Sequence, residues 1–467
     1  MERQLVHKID LRILPFVLVI YICNYLDRNS ITQARLYGMQ TDTRTDGALW
    51  NTAISIFSGG CIAMQLPSPL IMAKLPPSIF LPCCMLLWAV VSGCTAATNS
   101  PGSLFAVRFF LGIVEAPFFP GAIYFVMLVY QTRNRYSHSP PGKRHRPLQC
   151  LCWPAFGRYL VGYAWKNVAR ELAMVVHYRR AHAIAVALLA MLSLPNYPAT
   201  SKWLNEDEKT IAQARLIKDM GAEDSTEDED TSVLCTLVAP VKDYRVWIFA
   251  CMQMATTASI SYSHFFLTLI KELGFSDNLL VLLLTSPPYL FAFFWSIGFS
   301  WHADRSQKRS PYASISILTA MGSTIVLIAV PYHYQWVRYA FTFPLTAGIF
   351  GVYSTTYAWL PSTILMPRTK RAASIGLTNL CANIASLFGN YFWLDQYEPT
   401  FQVSWGILLA FQFLCFSCIM SLRYILKRSN RKFEELGSRF SESDTADLTG
   451  LRPIERNAVI GGFRYIT

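Results

Sequence analysis

Residues 107–117 read VRFFLGIVEAP, an apolar run that contains one cation, Arg108, and one anion, Glu115. The run belongs to a longer segment, 103–130, which has the length and composition of a membrane-crossing helix. Seven residues make about two helical turns, so the two charges lie on one helical face. Ionisable groups inside a bilayer are costly and commonly serve function. The run therefore predicts an integral membrane protein with a charged, inward-facing stripe.

The composition of the whole chain supports this class. Of its 467 residues, 53% are hydrophobic and 15% are charged, whereas soluble domains carry about a quarter charged residues. Disordered, collagenous, coiled-coil and disulfide-framework classes are therefore excluded. Cys415 and Cys418 have CxxC spacing but lie in an apolar run with no His or Cys beside them. We interpret them as packing residues rather than as a metal or redox site.

Eleven segments are long and apolar enough, or nearly so, to span a bilayer. They are 11–27, 48–70, 79–97, 103–130, 181–195, 245–270, 279–300, 312–331, 338–363, 372–393 and 402–425. A twelfth span is expected between 131 and 180, where the apolar pattern is poor. The acidic stretch 198–244 separates the first six spans from the last six. We therefore expect an all-α integral membrane protein of twelve spans with a degraded fifth span.

Basic residues near the ends of the spans predict the orientation of the chain. The main groups of them fall on one side of the membrane if there are twelve spans, while the intervening loops are poor in Lys and Arg apart from Arg28, Arg35 and Arg44 in the loop 28–46. The residues of the main groups are Arg3, Lys8, Arg12, Lys74, Arg305, Lys308, Arg309, Arg368, Lys370, Arg371, Arg423, Lys427, Arg428, Arg431 and Lys432. We expect halves at 1–197 and 245–428, joined by the cytoplasmic loop 198–244 and followed by the cytoplasmic tail 429–467. Both termini are expected in the cytoplasm, and the plasma membrane is the expected location.

The stretch 131–180 differs from the rest of the chain. It holds ten Lys or Arg and one acidic residue, so it carries +9 of the net charge of +12. Because the excess is confined to this stretch, nucleic-acid binding is not expected. Three interpretations stay open: a functional basic loop, a divergent fifth helix, or a frameshift or mis-spliced segment. With one choice of synonymous codons, residues 174–180 read WWFIIEG when shifted by one base.

Two clusters of charge are candidate functional sites. The first is Asp27 with Arg28 at the end of the first span, and the second is Arg108 with Glu115. A carboxylate in a low-dielectric cavity can gain and lose a proton near physiological pH. A guanidinium can hold an organic anion through its two-pronged donors. Together these groups could couple proton entry to anion entry, and a purely structural pairing is the alternative.

The motifs around these charges resemble the major facilitator superfamily. The resemblance is to its anion:cation symporter branch, and within that branch to fungal allantoate and nicotinate permease-like transporters. It rests on YLDRNSI at 25–31, RFFLG at 108–112, LPNYP at 194–198, ADRS at 303–306 and KRA at 370–372. It covers most of the chain and fails at 131–180.

What the resemblance implies is a fold of two six-helix halves around a central cavity, working by alternating access. Roles in proton coupling then carry over to Asp27 and Glu115, and roles in anion binding to Arg28 and Arg108. Further candidates for contact with the substrate are polar or aromatic residues on later spans, with helix-to-helix hydrogen bonding as the alternative. These are Tyr262, His264, Tyr357, Asn379 and Asn383.

The expected function is proton-coupled symport of a small organic anion, such as a nicotinate-like or allantoate-like carboxylate. The partners are the anion, protons and the lipid bilayer, and we expect a monomer with no cofactor and no metal. Export of a metabolite and a transport-dead relative are the alternatives. A conventional enzyme is not expected, because the sequence has no phosphate-binding glycine loop, metal-ligand spacing or nucleophile elbow.

Overall fold

The computed structural model describes residues 31, 39–45, 48–65, 67–68, 71, 77–117, 240–272, 278–306, 308–331, 333–364, 368–394, 397 and 401–441. These residues form helices and turns, with no strand among them. The α-helices are α1 Met39–Asp42, α2 Ala48–Gln65, α3 Pro77–Cys94, α4 Pro101–Glu115, α5 Tyr244–Ile260, α6 Tyr262–Glu272, α7 Asn278–Ser306, α8 Ser310–Ala329, α9 Gln335–Thr363, α10 Arg368–Gly389 and α11 Gln402–Ser441. Two short 3-10 helices cover Thr95–Ala97 and Asn390–Phe392.

Nine of the predicted spans contain a described helix. The spans at 11–27 and 181–195, and the twelfth span expected within 131–180, lie outside the described residues. Within the described part of the chain, α8 and the segment Gln402–Glu435 of α11 are long and apolar enough to cross a membrane by length and composition. Helices α4 and α5 are described over 15 and 17 residues, fewer than the roughly 20 residues of a typical crossing. The count of twelve therefore stays a prediction.

Helix α4 begins at a well-defined capping structure. The Ser100 hydroxyl accepts a hydrogen bond from the backbone N–H of Ser103 at 3.3 Å, and the Ser103 hydroxyl accepts one from the backbone N–H of Ser100 at 3.2 Å. Pro101 occupies the first turn, where its missing N–H costs nothing. These contacts determine where α4 starts and hence which of its residues face inward.

Helices α2 and α4 cross with their backbones in direct contact. A Cβ added at Gly60 would lie 2.2 Å from the carbonyl oxygen of Phe109, and one added at Gly112 would lie 2.1 Å from the carbonyl oxygen of Phe57. No side chain fits at either position. Small residues at such crossings let membrane helices approach closely enough for dispersion contacts to hold them together. The crossing places the inward face of α4 directly against α2.

Helix α7 contains adjacent prolines, Pro287 and Pro288, in its interior. Pro288 has no N–H to donate to the carbonyl oxygen four residues earlier, that of Leu284. The Tyr339 hydroxyl of α9 donates to this oxygen at 2.8 Å. A contact from a neighbouring helix thus replaces the hydrogen bond that the proline removes, and it ties α7 to α9.

Candidate functional site

The inward stripe of α4 carries the charged pair. Arg108 and Glu115 are each 3% exposed, and they share the buried face of α4 with Gly112. The Arg108 guanidinium lies 5.9 Å from the centroid of the Phe57 ring on α2. Both charged side chains make contacts within the protein. A cation and an acid are therefore held in the interior, beside the α2–α4 crossing, where the dielectric is low.

The other charged cluster of the sequence prediction, Asp27 with Arg28, lies outside the described residues. The roles assigned to these two side chains stay predictions.

Tyr262 and His264 lie at the start of α6. Tyr262 is fully buried, and its hydroxyl donates to the Thr346 hydroxyl of α9 at 2.8 Å. The ring of Tyr262 packs edge-on against that of Phe266, with 5.8 Å between centroids. The His264 backbone N–H donates to the carbonyl oxygen of Ser261 at 3.1 Å. In this conformation the Tyr262 hydroxyl serves helix-to-helix hydrogen bonding.

The structure brings Tyr357 and Asn379 together. The Tyr357 hydroxyl of α9 donates to the Asn379 side-chain oxygen of α10 at 3.1 Å. The rings of Tyr353 and Tyr357 lie 5.0 Å apart in an edge-on arrangement. This hydrogen bond joins α9 to α10 and fixes the orientation of the Asn379 amide group.

Asn383 contacts a residue that the sequence analysis did not single out. Its amide nitrogen lies 3.4 Å from the side-chain oxygen of Gln65, which is 2% exposed on α2. Two more polar contacts join α2 to the 3-10 helix Asn390–Phe392, which directly follows α10: Asn390 donates to the Ser55 hydroxyl at 3.1 Å, and the Thr52 and Tyr391 hydroxyls lie 2.9 Å apart. We call these three contacts the α2–α10 ladder.

Trp393 lies at the end of this ladder and is 1% exposed. Its indole N–H donates to the Ser261 hydroxyl at 3.1 Å, and its carbonyl oxygen accepts from the Asn51 side chain at 3.4 Å. Its ring packs edge-on against that of Trp405, with 5.1 Å between centroids. Because Ser261 is the residue between α5 and α6, Trp393 joins α2, the α5–α6 junction and α11 at one point.

Asp243 forms a compact ionic cluster at the start of α5. Its carboxylate caps the helix by accepting from the Arg245 backbone N–H at 3.0 Å, and it accepts from Lys370 Nζ of α10 at 2.8 Å. Burial alone would raise the pKa of the Asp243 carboxyl. The hydrogen bond from Lys370 and the charge of Arg245 outweigh burial and hold the pKa below its ordinary value.

Neutralising this cluster is expected to lower the stability of the packing between α5 and α10. Asp243→Asn keeps a capping side chain but removes the charge, so it should lower the free energy of unfolding by about 1 kcal/mol at neutral pH. Lys370→Gln should cost a similar amount, and the double variant should cost less than the sum of the two. Thermal unfolding of the solubilised protein measures the effect, with exposed Lys242→Gln as the control.

The pH dependence of the same cluster follows from the sign of the shift. A carboxyl whose pKa is depressed in the folded state contributes stability above its ordinary pKa, 3.8 for Asp243, and loses it as the pH falls through the folded value. The difference in melting temperature between the parent and Asp243→Asn should therefore shrink at acidic pH. A difference that stays constant down to strongly acidic pH would contradict the assignment.

The sequence profile of the Major Facilitator Superfamily matches residues 17–137 and 180–390. The chain belongs to the major facilitator superfamily. Its members are transporters, so this chain is an integral membrane transporter and not an enzyme. The match leaves out 138–179, which is most of the stretch that the sequence analysis set apart.

Individual members of the superfamily are similar to this chain along most of their length. A putative tartrate transporter of Agrobacterium vitis is 26% identical over 90% of this chain and 95% of its own. The MFS transporter prlL of a fungal species is 28% identical over 80% of this chain and 75% of its own. The putative metabolite transport protein NicT of Pseudomonas putida is 25% identical over 83% and 87%, respectively.

Proposed function

We propose that this major facilitator superfamily chain carries a small organic anion in symport with protons. The observation that carries the proposal is the burial of Arg108 and Glu115 on one face of α4. An Arg in the interior of a bilayer protein offers two-pronged hydrogen bonds to a carboxylate. A neighbouring Glu can carry the coupled proton, since desolvation favours its neutral form. The name of the Agrobacterium vitis relative, putative tartrate transporter, supports a carboxylate as the class of substrate.

The proposal includes the architecture that alternating access requires. Two six-helix halves, 1–197 and 245–428, are joined by the cytoplasmic loop 198–244 and enclose a central cavity. The α2–α10 ladder then links one half to the other. We assign the tail 429–467 and the N-terminus to the cytoplasm, the chain to the plasma membrane, and the working unit to the monomer.

Further site residues belong to the same proposal. Asp27 joins Glu115 in proton coupling, and Arg28 joins Arg108 in anion binding. Tyr357 and Asn379 are mutually hydrogen-bonded and contribute polar contacts to the substrate, as does His264. In this conformation Tyr262 is hydrogen-bonded to Thr346, and Asn383 to Gln65. For Tyr262 and Asn383 to contact the substrate, these hydrogen bonds must break during the transport cycle and be replaced by hydrogen bonds to the substrate.

The unmatched residues 138–179 bear on whether the printed chain transports at all. Their absence from the family match supports a frameshift or mis-spliced segment in place of the fifth span. Sequencing the full-length transcript across codons 130–185 distinguishes the interpretations. If the transcript encodes an apolar fifth span containing FIIEG, transport should be assayed with the protein that this transcript encodes. A transcript that encodes the printed residues would favour the transport-dead relative.

The transport proposal is tested with purified protein in liposomes. With the outside acidic, radiolabelled tartrate, nicotinate or allantoate should enter at least about tenfold faster than without a gradient. A protonophore should remove the acceleration, and empty liposomes supply the background. If the carboxylate moves only when the liposome interior is acidic, the result would indicate that the protein is an exporter. The proposal is contradicted if no carboxylate moves while the Agrobacterium transporter, reconstituted in parallel, is active.

A further inference from the structure

Helix α11 is longer than a membrane crossing requires. It runs over 40 residues, from Gln402 to Ser441, which is a length of about 60 Å. The hydrocarbon core of a bilayer is about 30 Å thick, and the predicted span 402–425 covers the apolar part of the helix. The same helix therefore continues beyond the membrane, and we call residues 426–441 its extension.

One side of α11 packs against the rest of the protein. Helices α5 and α8 are its main neighbours. The residues buried on this side recur at helical spacing and are Leu408, Cys415, Ile419, Leu422, Leu426 and Phe433. Leu426 and Phe433, both in the extension, belong to the same core cluster as Phe249 of α5. The extension is therefore packed against the protein, and its orientation about the helix axis is fixed.

The opposite side of α11 faces outward along the membrane span. The large apolar residues exposed there are Val403, Phe413 and Leu414. Tyr424 follows on the same side near the end of the predicted span, and it is 67% exposed. Tyrosine is enriched where a membrane helix passes the lipid headgroups, because its ring is apolar and its hydroxyl is polar. Tyr424 therefore marks the level at which this outward side leaves the hydrocarbon.

Four exposed basic residues continue the outward side beyond Tyr424. We call them the basic face: Lys427, Arg428, Arg431 and Lys432. In an α-helix they fall, together with Tyr424 and the exposed apolar residues before it, within one arc of about 140° opposite the buried side. No ion pair engages the basic face within the part of the chain that the structure describes. Glu434 and Glu435, which follow on the helix, make contacts of their own.

We propose that the basic face binds the headgroups of acidic phospholipids in the cytoplasmic leaflet. A side of a helix that meets lipid tails within the membrane meets lipid headgroups where it leaves the membrane. The basic face begins about 5 Å beyond Tyr424 and ends about 12 Å beyond it. Long Lys and Arg side chains reach phosphate oxygens at this level, and a guanidinium can donate two hydrogen bonds to one phosphate.

The position of the basic face favours a membrane over a soluble acidic partner. Because it lies on the same side of α11 as Phe413 and Tyr424, which are exposed to lipid, the membrane surface is next to it at all times. Clusters of Lys and Arg directly cytoplasmic of a membrane helix are attracted to the anionic lipids of that leaflet. The inference rests on the cytoplasmic position proposed for the tail, and it does not depend on the substrate.

The experiment uses the full-length protein in phosphatidylcholine nanodiscs that contain a trace of photoactivatable lipid. One probe is phosphatidylserine with a diazirine near its headgroup, and the other is phosphatidylcholine with the same diazirine. Mass spectrometry then quantifies the labelled peptides that cover 421–435. We expect at least about tenfold more labelling by phosphatidylserine, since each Lys or Arg near an anionic lipid raises binding about fivefold. Both leaflets of a nanodisc contain the probe, so the result depends on neither orientation nor transport.

Paired variants assign the labelling to the basic face. Lys427→Gln with Arg431→Gln removes two charges that are one turn apart, and it should lower the preference for phosphatidylserine at least about threefold. The matched control, Lys242→Gln with Lys308→Gln, removes two exposed charges outside α11 and should leave the preference unchanged. All four positions are exposed, so the substitutions disturb no packing.

Three outcomes would overturn the proposal. One is equal labelling of 421–435 by the two probes in the unsubstituted protein, a measurement that needs no variant to fold. Another is an equal loss of preference in the two paired variants, which would show that overall charge, and not the basic face, attracts the lipid. The third is displacement of the phosphatidylserine probe by excess soluble glycerophosphoserine, which would show that the basic face binds a free anion.

Discussion

Gly112→Ala should strongly destabilise the folded protein, although it adds a single methyl group. The new Cβ would lie 2.1 Å from the carbonyl oxygen of Phe57 and 3.0 Å from the backbone nitrogen of Cys61. Both are backbone atoms of α2, so no rotamer change relieves the overlap. The helices must separate, and the dispersion contacts along the crossing are then lost, at a cost of about 3 kcal/mol. Size-exclusion chromatography of a fluorescent fusion after heating measures the loss.

A matched control lies on the same helix. A Cβ added at Gly102 meets no atom within 4 Å, so Gly102→Ala should leave the elution profile and melting temperature unchanged or slightly improved. Gly60→Ala should behave like Gly112→Ala, since its Cβ would lie 2.2 Å from the carbonyl oxygen of Phe109. Equal melting temperatures for Gly102→Ala and Gly112→Ala would show that α2 and α4 do not cross in this way.

Neutralising the charged stripe of α4 should have the second large effect, this time on transport. Glu115→Gln cannot exchange a proton, so gradient-driven uptake should fall at least about 100-fold while substrate exchange across the membrane persists. Arg108→Lys keeps the charge but loses the two-pronged donor, so substrate affinity should fall at least about tenfold. Reconstituted uptake and exchange assays separate the two effects.

The alternative hypothesis, that Arg108 and Glu115 only stabilise the fold, predicts a different result for the double variant. If the two charges only stabilise each other, the neutral double variant Arg108→Gln with Glu115→Gln removes both and should recover stability and transport relative to either single change. If they bind anion and proton, the double variant stays inactive. Gly102→Ala again serves as the control on α4, because it adds a methyl group to the helix without touching the charged face.

The local sequence pattern was sufficient to predict several features of this structure. The helical period predicted that Arg108 and Glu115 share one face, and both are buried on the inward face of α4. Apolar segments predicted where helices such as α8 lie, because length and composition are local properties. The family assignment from the motifs at 25–31 and 108–112 is confirmed by the profile match across 17–137 and 180–390.

Features that depend on distant neighbours could not be predicted in this way. Gln65 meets Asn383, and Ser55 meets Asn390, because elements remote in the chain pack side by side. Helical periodicity identifies an inward face but not the helix that it contacts. The local tightening of the helix at Ser261, whose backbone N–H donates to the carbonyl oxygen of Ala258 three residues earlier, has no Gly or Pro to mark it. It coincides with a hydrogen bond from Trp393, again a residue far along the chain.

Pro288 and Tyr339 illustrate how contacts between distant residues constrain which mutations can accumulate during evolution. With Pro288 in place, the Leu284 carbonyl relies on the Tyr339 hydroxyl, so loss of that hydroxyl alone leaves a polar atom unsatisfied in an apolar setting. With another residue at 288, the helix supplies its own donor and the tyrosine becomes dispensable. The harm of a change at one position thus depends on the amino acid at the other. Mutations at these two sites are epistatic, and their order decides which evolutionary paths remain open.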